Sequence, residues 1–241
     1  MLVISPPRCG SMWLYNVARR VLASAGRTVK PDEIAVGLDN LVACVREAGT
    51  DPDPNAAYVV KAHRVMRVDG ASVLAATSLR DPRDAVLSCR RFTKTQDTTQ
   101  PIAHAVAEYV RAYTELRECW GDGLFVARYD DIVSEPARVV GELRAAMGFA
   151  SNAAEDAAIA AEFSPDAVKR IIATAETDAE RGLSLADIGQ QRMMDRRTGF
   201  QSGHIGDGAT GQWRDAIAPE QQSMIRERHG DWLRDNGFPL S

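Results

Sequence analysis

The residues at the start of the chain have the types and the order that bind a phosphate group. Residues 2–5, Leu-Val-Ile-Ser, form a short apolar run that predicts a buried strand, and residues 11–14 predict the start of a helix. Between them a proline pair leads into a tight turn that contains Arg8 and Gly10. The first backbone N–H groups of a helix lack intrahelical partners, so this pattern predicts an anion site with Arg8 beside it. The same pattern also fits an ordinary turn with a surface arginine.

This turn differs from the two common nucleotide-binding loops. An ATP or GTP loop has a glycine, four further residues, and then Gly-Lys-Ser or Gly-Lys-Thr. Here Ser11 directly follows Gly10, with no lysine between them. The Gly-x-Gly-x-x-Gly spacing of a dinucleotide site is missing from the turn as well. What remains is a compact phosphate loop whose basic residue stands two positions before its glycine.

Strand-like and helix-like segments alternate along the whole chain. The strand-like runs are mostly continuous apolar stretches, which is typical of strands buried on both faces of a parallel sheet. We therefore expect an α/β, three-layer fold with a central, mostly parallel sheet of about five strands and helices on both faces. Ligands of such sheets bind beyond the carboxyl ends of the strands. The candidate site residues therefore follow the strands, at residues 8–13, 61–64, 80–88 and 129–131.

Length, composition and charge narrow the class of protein. The chain has 241 residues, of which 45% are hydrophobic and 26% charged, and this suits a single domain over residues 1–241. Its net charge of −4 disfavours nucleic acid as the main partner. No apolar run reaches the roughly 18 residues that a membrane span needs. No signal peptide precedes the first strand, so we expect a cytoplasmic protein with no membrane partner.

The sequence predicts no metal site. The four cysteines are widely separated and form no Cys-x-x-Cys pair. Asp130 and Asp131 stand at a predicted helix start, where a solvated pair of carboxylates explains them better than a metal does. Cys9 lies beside the first helix, where it is either a reactive thiol or a small residue that fills a tight space.

The strand ends and a C-terminal glycine stretch resemble the PAPS-dependent sulfotransferase family, of the cytosolic type with a P-loop-like fold. PAPS is 3′-phosphoadenosine 5′-phosphosulfate. The family's first motif, Pro-Lys-Ser-Gly-Thr-Thr-Trp, cradles the 5′-phosphosulfate and is similar to residues 7–13, with Arg8 in place of lysine. Its second motif, Arg-x-Pro/Ala-x-Asp-x-x-x-Ser, is similar to residues 80–88. The resemblance implies that Arg80 and Ser88 hold the 3′-phosphate.

Three shorter motifs extend the resemblance over nearly the whole chain. The family's Lys-Thr-His is similar to residues 61–63, and its Tyr-Glu-Asp is similar to residues 129–131. Its C-terminal Arg-x-Gly-x-x-Gly-Asp-Trp is similar to residues 206–213, but Gly206 stands where the family has the arginine that grips the 3′-phosphate. Either Arg80 and Ser88 suffice, or another basic residue substitutes. The candidates for that residue are Arg196, Arg197 and Arg214.

The resemblance implies transfer of a sulfuryl group from PAPS to a hydroxyl or amine of a small-molecule acceptor, with PAP (3′-phosphoadenosine 5′-phosphate) as the product and no metal. His63 is then the general base, and Arg8 and Lys61 stabilise the charge on the leaving oxygen. The implied cofactor-binding residues are Arg8, Cys9, Gly10, Ser11, Met12, Trp13, Arg80, Ser88, Tyr129, Gly208 and Gly211. Trp13 would stack on the adenine, although a helix-core role fits it too. His63 and Lys61 also fit a structural histidine and a solvent-facing lysine.

Two other functions stay open at this stage. One is a nucleotide-dependent small-molecule kinase of related fold, which the missing Gly-Lys-Ser/Thr disfavours. The other is a non-catalytic PAP-binding protein, which the presence of both Lys61 and His63 disfavours. The polar stretch 181–212 has few apolar anchors and is a candidate lid over the cofactor. The sequence identifies neither the acceptor nor the oligomeric state, for which a homodimer is one option.

Overall fold

Eight short strands and ten α-helices make up the described part of the chain. The computed structural model describes residues 1–68, 73–93, 101–185, 192–203, 206 and 208–241. The strands are β1 (Leu2–Ile4), β2 (Thr28–Lys30), β3 (Ala56–Tyr58), β4 (Val60–Ala62), β5 (Ala75–Leu79), β6 (Leu124–Arg128), β7 (Gly182–Ser184) and β8 (Met193–Asp195). The helices are α1 (Ser11–Ser24), α2 (Leu38–Ala48), α3 (Pro82–Thr93), α4 (Ile102–Trp120), α5 (Tyr129–Ser134), α6 (Pro136–Ala146), α7 (Ala153–Glu162), α8 (Pro165–Thr177), α9 (Trp213–Ala216) and α10 (Pro219–Asp235). None of these described helices is long and apolar enough to cross a membrane.

Four of the strands form one parallel sheet in the order β4-β1-β5-β6. Leu2 of β1 lies opposite Val60 on one side and Ala75 on the other, and Ala75 in turn lies opposite Leu124. Because the four strands run in one direction, their carboxyl ends meet at one edge of the sheet. The expected α/β class with a parallel central sheet is confirmed. Within the described residues this sheet has four strands, and the remaining strands form two small sheets, β2-β3 and β7-β8.

Helices cover both faces of the central sheet. Successive residues of a strand point to opposite faces, so a strand that is apolar throughout needs to be covered on both. Val3 of β1 is fully buried in a cluster that includes Val17 of α1. Its neighbour Leu2 is buried in a different cluster, with Leu41 of α2 and Leu116 of α4. The short, apolar strand is therefore shielded from water on both sides, as its sequence predicts.

The turn after β1 requires a glycine. Gly10 has a φ of 91°, in the left-handed region that disfavours side chains. A Cβ at this position would lie 3.2 Å from Cδ2 of Tyr129 and 3.3 Å from Cδ1 of Ile132, both in α5. Arg8 is also left-handed, with a φ of 67°. The turn is thus tightly curved and lies directly against α5, with α1 starting at Ser11.

The first turn of α3 holds the C-terminal glycine stretch at the same edge of the sheet. The carboxylate of Asp84 accepts hydrogen bonds from the backbone N–H groups of Gly211, at 2.6 Å, and Trp213, at 3.0 Å. The guanidinium of Arg83 lies 3.4 Å from the ring centroid of Trp213 and forms a buried ion pair with Asp81. Two segments about 130 positions apart in sequence are therefore joined next to the strand ends.

One predicted helix begins later than its sequence indicates. Pro31-Asp32-Glu33 predicts a helix start, but α2 begins at Leu38, after Gly37. The intervening backbone is bonded to other parts of the protein: Arg19 donates to the carbonyl of Pro31 at 2.6 Å, and the N–H of Ile34 donates to the carbonyl of Arg196 at 2.8 Å. These long-range bonds replace the intrahelical ones.

Replacing Asp84 with alanine should destabilise the protein. The backbone N–H groups of Gly211 and Trp213 would lose their hydrogen-bond acceptor in a largely buried place. This loss should lower the free energy of unfolding by about 1–3 kcal/mol. Urea denaturation measures the free energy of unfolding. The control is Asp166→Ala, which removes an exposed ion pair with Lys169 and should change that free energy by less than about 0.5 kcal/mol. Equal effects of the two substitutions would contradict the role given to Asp84.

Candidate active site

A lysine and a histidine form a hydrogen-bonded pair at the end of β4. The Nζ of Lys61 lies 2.7 Å from Nε2 of His63, and Nδ1 of His63 lies 2.9 Å from the backbone carbonyl oxygen of Ser5. A carbonyl oxygen only accepts hydrogen bonds, so the imidazole proton is assigned to Nδ1. Nε2 then accepts from the Lys61 ammonium. The residue after β1 thus fixes the orientation of the ring that follows β4.

The surrounding protein holds this pair in defined charge states. Loss of solvation, together with the positive charge of Lys61, lowers the pKa of His63 to about 4. Burial of the Lys61 ammonium lowers its own pKa to about 8. At neutral pH His63 is therefore a neutral imidazole beside a charged lysine. A neutral imidazole with an accepting Nε2 has the protonation state that a general base requires.

Arg8 connects the phosphate loop to α3. Its Nε donates to Oγ of Ser88 at 3.2 Å, and its guanidinium lies 4.4 Å from the ring centroid of Phe92, one turn further along the helix. Burial lowers the pKa of Arg8 from its ordinary value, although that value is high enough to keep the group charged. The two residues that the sequence assigns to opposite ends of the cofactor are therefore in direct contact.

Arg80 is a buried cation whose hydrogen bonds are incomplete. It is 5% exposed, and its two Nη atoms donate to the carbonyls of Arg8, at 3.3 Å, and Ala209, at 2.9 Å. Its guanidinium lies 4.1 Å from the ring centroid of Tyr129. Its Nε is buried and has no hydrogen-bond partner among the described residues. An unpaired buried donor on a cation is costly, and a bound anion would satisfy it.

Cys9 contributes to the packing of the loop through its side chain. Its Sγ lies 3.1 Å from the hydroxyl of Tyr109, which in turn donates to the backbone carbonyl of Arg80 at 2.9 Å. The thiol is fully buried, and burial raises its pKa to about 12. Of the two roles that the sequence allows, the geometry favours the small space-filling residue. Only the backbone of Cys9 is then left to contact a cofactor.

The first turn of α1 is anchored by a residue that the motif comparison did not include. The side-chain amide of Asn16 donates to the carbonyls of Met12, at 2.8 Å, and Thr198, at 2.9 Å. Ser11 is 5% exposed and begins the helix, so its N–H is among those without an intrahelical partner. Trp13 is 9% exposed and lies in the hydrophobic cluster below α1. Its stacking on adenine remains a prediction.

The glycine stretch lies against Arg80 and α3. Gly208 and Gly211 have φ angles of 70° and 78°, and the N–H of Gly211 is held by Asp84. The candidate lid at residues 181–212 contains the antiparallel strands β7 and β8. Residues 186–191, 204, 205 and 207 lie outside the described part of the chain, so the lid prediction is only partly covered by it.

The three arginines suggested as substitutes for an arginine at position 206 make other contacts, although Arg214 lies beside Gly211 of the glycine stretch. Nε of Arg196 donates to the carbonyl of Gly182 at 3.1 Å. Arg214 donates to the carbonyl of the C-terminal residue at 3.0 Å and packs on the ring of Trp213, 4.6 Å from its centroid. Arg197 is exposed. No contact of these side chains with Arg80 or Ser88 is found within the described residues.

Two arginines that lie near the site, Arg91 and Arg192, were not identified from the sequence. The guanidinium of Arg192 lies 3.6 Å from the ring centroid of Phe92, the ring that Arg8 also contacts. Arg91 donates from Nη1 to Oε1 of Gln212 at 2.5 Å. Helical periodicity could have found Arg91, because it follows Ser88 by three positions and so shares its face of α3. No sequence signal places Arg192, since its contact depends on the path of the chain before β8.

The carboxylates of the site do not form a metal centre within the part of the chain that the structure describes. No group of three or more His, Cys, Asp or Glu side chains there is arranged to hold a metal ion. Asp131 instead forms an ion pair with Arg138 at 3.1 Å. Arg8, Lys61 and Arg80 bring three cationic side chains to this edge of the sheet, where they can bind a ligand with several negative charges next to a neutral imidazole.

Comparison with known proteins gives a match in structure. No protein-family model and no curated protein sequence matches the chain. A crystal structure of mouse sulfotransferase SULT7A1 complexed with PAP superposes with a TM-score of 0.62 at 16% identity, covering 97% of this chain and 83% of that one. Retinol dehydratase in complex with androsterone and inactive cofactor PAP gives a TM-score of 0.62 at 14% identity, covering 99% of this chain and 81% of that one.

A second structure of retinol dehydratase, in a complex with retinol and PAP, gives a TM-score of 0.60 at 13% identity, covering 99% of this chain and 82% of that one. The likeness extends over nearly the whole described fold, including the parallel sheet and the helices around it. The chain therefore has the sulfotransferase fold, as the order of its motifs predicts.

Removing the charge of Lys61 should raise the pKa of His63. The Lys61→Met variant keeps the desolvation of the ring but loses the adjacent ammonium, so the pKa should move up from about 4 and stay below the ordinary 6.5. NMR titration of the imidazole signals measures it, with His63→Gln assigning the resonance. The control is Lys30→Met, which removes a lysine paired with Asp51 instead. An unchanged pKa in Lys61→Met would show that the two groups are not neighbours.

Proposed function

We propose that this protein transfers the sulfuryl group of PAPS to a hydroxyl or amine of a small-molecule acceptor. One observation carries the proposal: the Lys61–His63 pair and the anion site of Arg8, Ser88 and Arg80 lie at the same edge of the sheet. A nucleotide site alone would not need the imidazole. The sulfotransferase fold, shared with PAP-bound structures, supports the same reaction.

The residues at the strand ends suit a cofactor with two separate anionic groups. Arg80 brings a buried Nε that lacks a partner among the described residues, and the backbone N–H groups at the start of α1 supply further donors. We assign the 3′-phosphate to Arg80 and Ser88, and the 5′-phosphosulfate to the turn from Arg8 to Met12. Gly208, Gly211 and Tyr129 enclose the nucleotide. When bound, PAPS supplies an activated sulfuryl group on a good leaving phosphate.

His63 acts as the general base in this proposal. Its Nδ1–H bond to Ser5 fixes the ring, so that Nε2 accepts the proton of the acceptor as the new O–S or N–S bond forms and the bond to the phosphate oxygen breaks. Nε2 is engaged by Lys61 in this structure, so the ammonium must turn toward the leaving oxygen first. The negative charge of the cofactor next to the pair would stabilise the Lys61 ammonium and raise the pKa of His63 from its low value.

Arg8 and Lys61 stabilise the leaving group. The negative charge on the oxygen that bridges sulfur and phosphorus increases as the bond breaks, and fixed cations next to it lower the barrier. Arg8 is positioned for this by Ser88 and Phe92. A kinase of related fold is disfavoured by the lack of a Gly-Lys-Ser/Thr loop. A PAP-binding protein without activity would have no use for the Lys61–His63 pair.

Replacing His63 with alanine should abolish most of the turnover and leave PAP binding nearly unchanged. Loss of a general base costs about 10²–10⁴ in rate, whereas PAP carries no proton for His63 to remove. Transfer of radiolabelled sulfuryl from PAPS to a panel of alcohols, phenols and amines gives the rate, and calorimetry gives the PAP affinity.

The control for this experiment is His104→Ala, an exposed histidine on α4 that should leave both quantities unchanged. Turnover by His63→Ala at close to the wild-type rate would remove His63 from the mechanism. Absence of transfer by the wild-type protein to every acceptor, despite tight PAP binding, would favour the non-catalytic alternative.

A further inference from the structure

One face of α3 runs along the glycine stretch and carries three polar residues. Asp84, Ser88 and Arg91 are spaced by four and three positions, so they share this face of the helix. Asp84 accepts from the N–H groups of Gly211 and Trp213 at one end, and Arg91 donates to Oε1 of Gln212 further along. Ser88 lies between these two anchor points.

Arg80 enters the same space from the end of β5. Its Nη2 donates to the carbonyl of Ala209, and its Nε is buried with no partner among the described residues. Arg80 at the end of β5, and Ser88 and Arg91 on this face of α3, therefore all stand next to the space between β5, α3 and the glycine stretch. The carboxylate at its edge, Asp84, is already engaged with two backbone N–H groups.

The charge of this space suits a phosphate dianion. Arg80 provides one cation, and Arg91 provides a second at the solvent-facing end. A guanidinium has five N–H donors in a planar fork, so Arg91 can hold Gln212 and a phosphate oxygen together. Two other arginines lie nearby: Arg8 of the phosphate loop donates to Ser88, and Arg192 contacts the ring of Phe92, as Arg8 also does.

We propose that Arg91 is the second cation for the 3′-phosphate and substitutes for the arginine that the family has at the position of Gly206. The inference rests on the proposed function, since it assigns one end of the same cofactor. It differs from the expectation from sequence, which considered Arg196, Arg197 and Arg214. In this structure the Arg91 side chain donates to Gln212 of the glycine stretch.

The test compares two ligands that differ only in the 3′-phosphate, PAP and 5′-AMP, by titration calorimetry. Wild-type protein should prefer PAP. Arg91→Ala should weaken PAP by about tenfold or more, the effect of losing one charge-assisted contact, and change 5′-AMP by less than about twofold. Arg91→Lys should recover part of the loss. Arg80→Ala is the positive control, with a larger loss for PAP, and the exposed Arg197→Ala should behave as wild type.

Gln212→Ala separates binding from a structural role. If Arg91 touches the phosphate, loss of Gln212 leaves the preference for PAP over 5′-AMP in place. If Gln212→Ala instead reproduces the loss seen in Arg91→Ala, the arginine only joins α3 to the glycine stretch, and the inference is overturned. If the wild-type protein prefers PAP over 5′-AMP and Arg91→Ala keeps the same preference, the inference about Arg91 is overturned and the proposed function is not. A wild type that binds both ligands equally overturns the proposed function together with it.

Discussion

Parallel pairing of β1 with both β4 and β5 is the constraint on which the site depends. This pairing brings the residues after three strands, Arg8, His63 and Arg80, to one edge of the sheet although they lie far apart in sequence. The carbonyl of Ser5 then orients His63, and the carbonyl of Arg8 accepts from Arg80. A slip in the register would separate these groups, because each contact uses the backbone of the turn that directly follows β1.

Arg8, Lys61 and Arg80 place three positive charges close together at this edge of the sheet. Loss of solvation and the charge of Lys61 together lower the pKa of His63, and Arg8 lies within electrostatic reach of Arg80 and Arg192. Like charges held together in a partly buried place destabilise the free protein. A ligand with several negative charges would offset that cost, so affinity for such a ligand and the arrangement of the Lys61–His63 pair have the same physical origin.

Sequence predicted the parts of this arrangement that depend on local pattern. The apolar runs located the central strands, and the strand–turn–helix at Gly10 predicted a tight loop that the structure confirms. The start of α2 was wrong because long-range bonds to Arg196 and Arg19 replace the helical ones after Pro31. Contacts such as Asp84 with Gly211 span 127 positions, and no spacing rule reaches that far. For the same reason the sequence left the partner of the 3′-phosphate open.

The most direct test of the account is calorimetric binding of PAP to the wild-type protein, beside 5′-AMP and ATP with magnesium. The account predicts micromolar or tighter binding of PAP, with both other nucleotides much weaker, because two anionic groups must be satisfied at the strand ends. Stronger binding of ATP with magnesium, or no binding of PAP, would contradict it and assign the loop at Arg8 and Gly10 to a different phosphate.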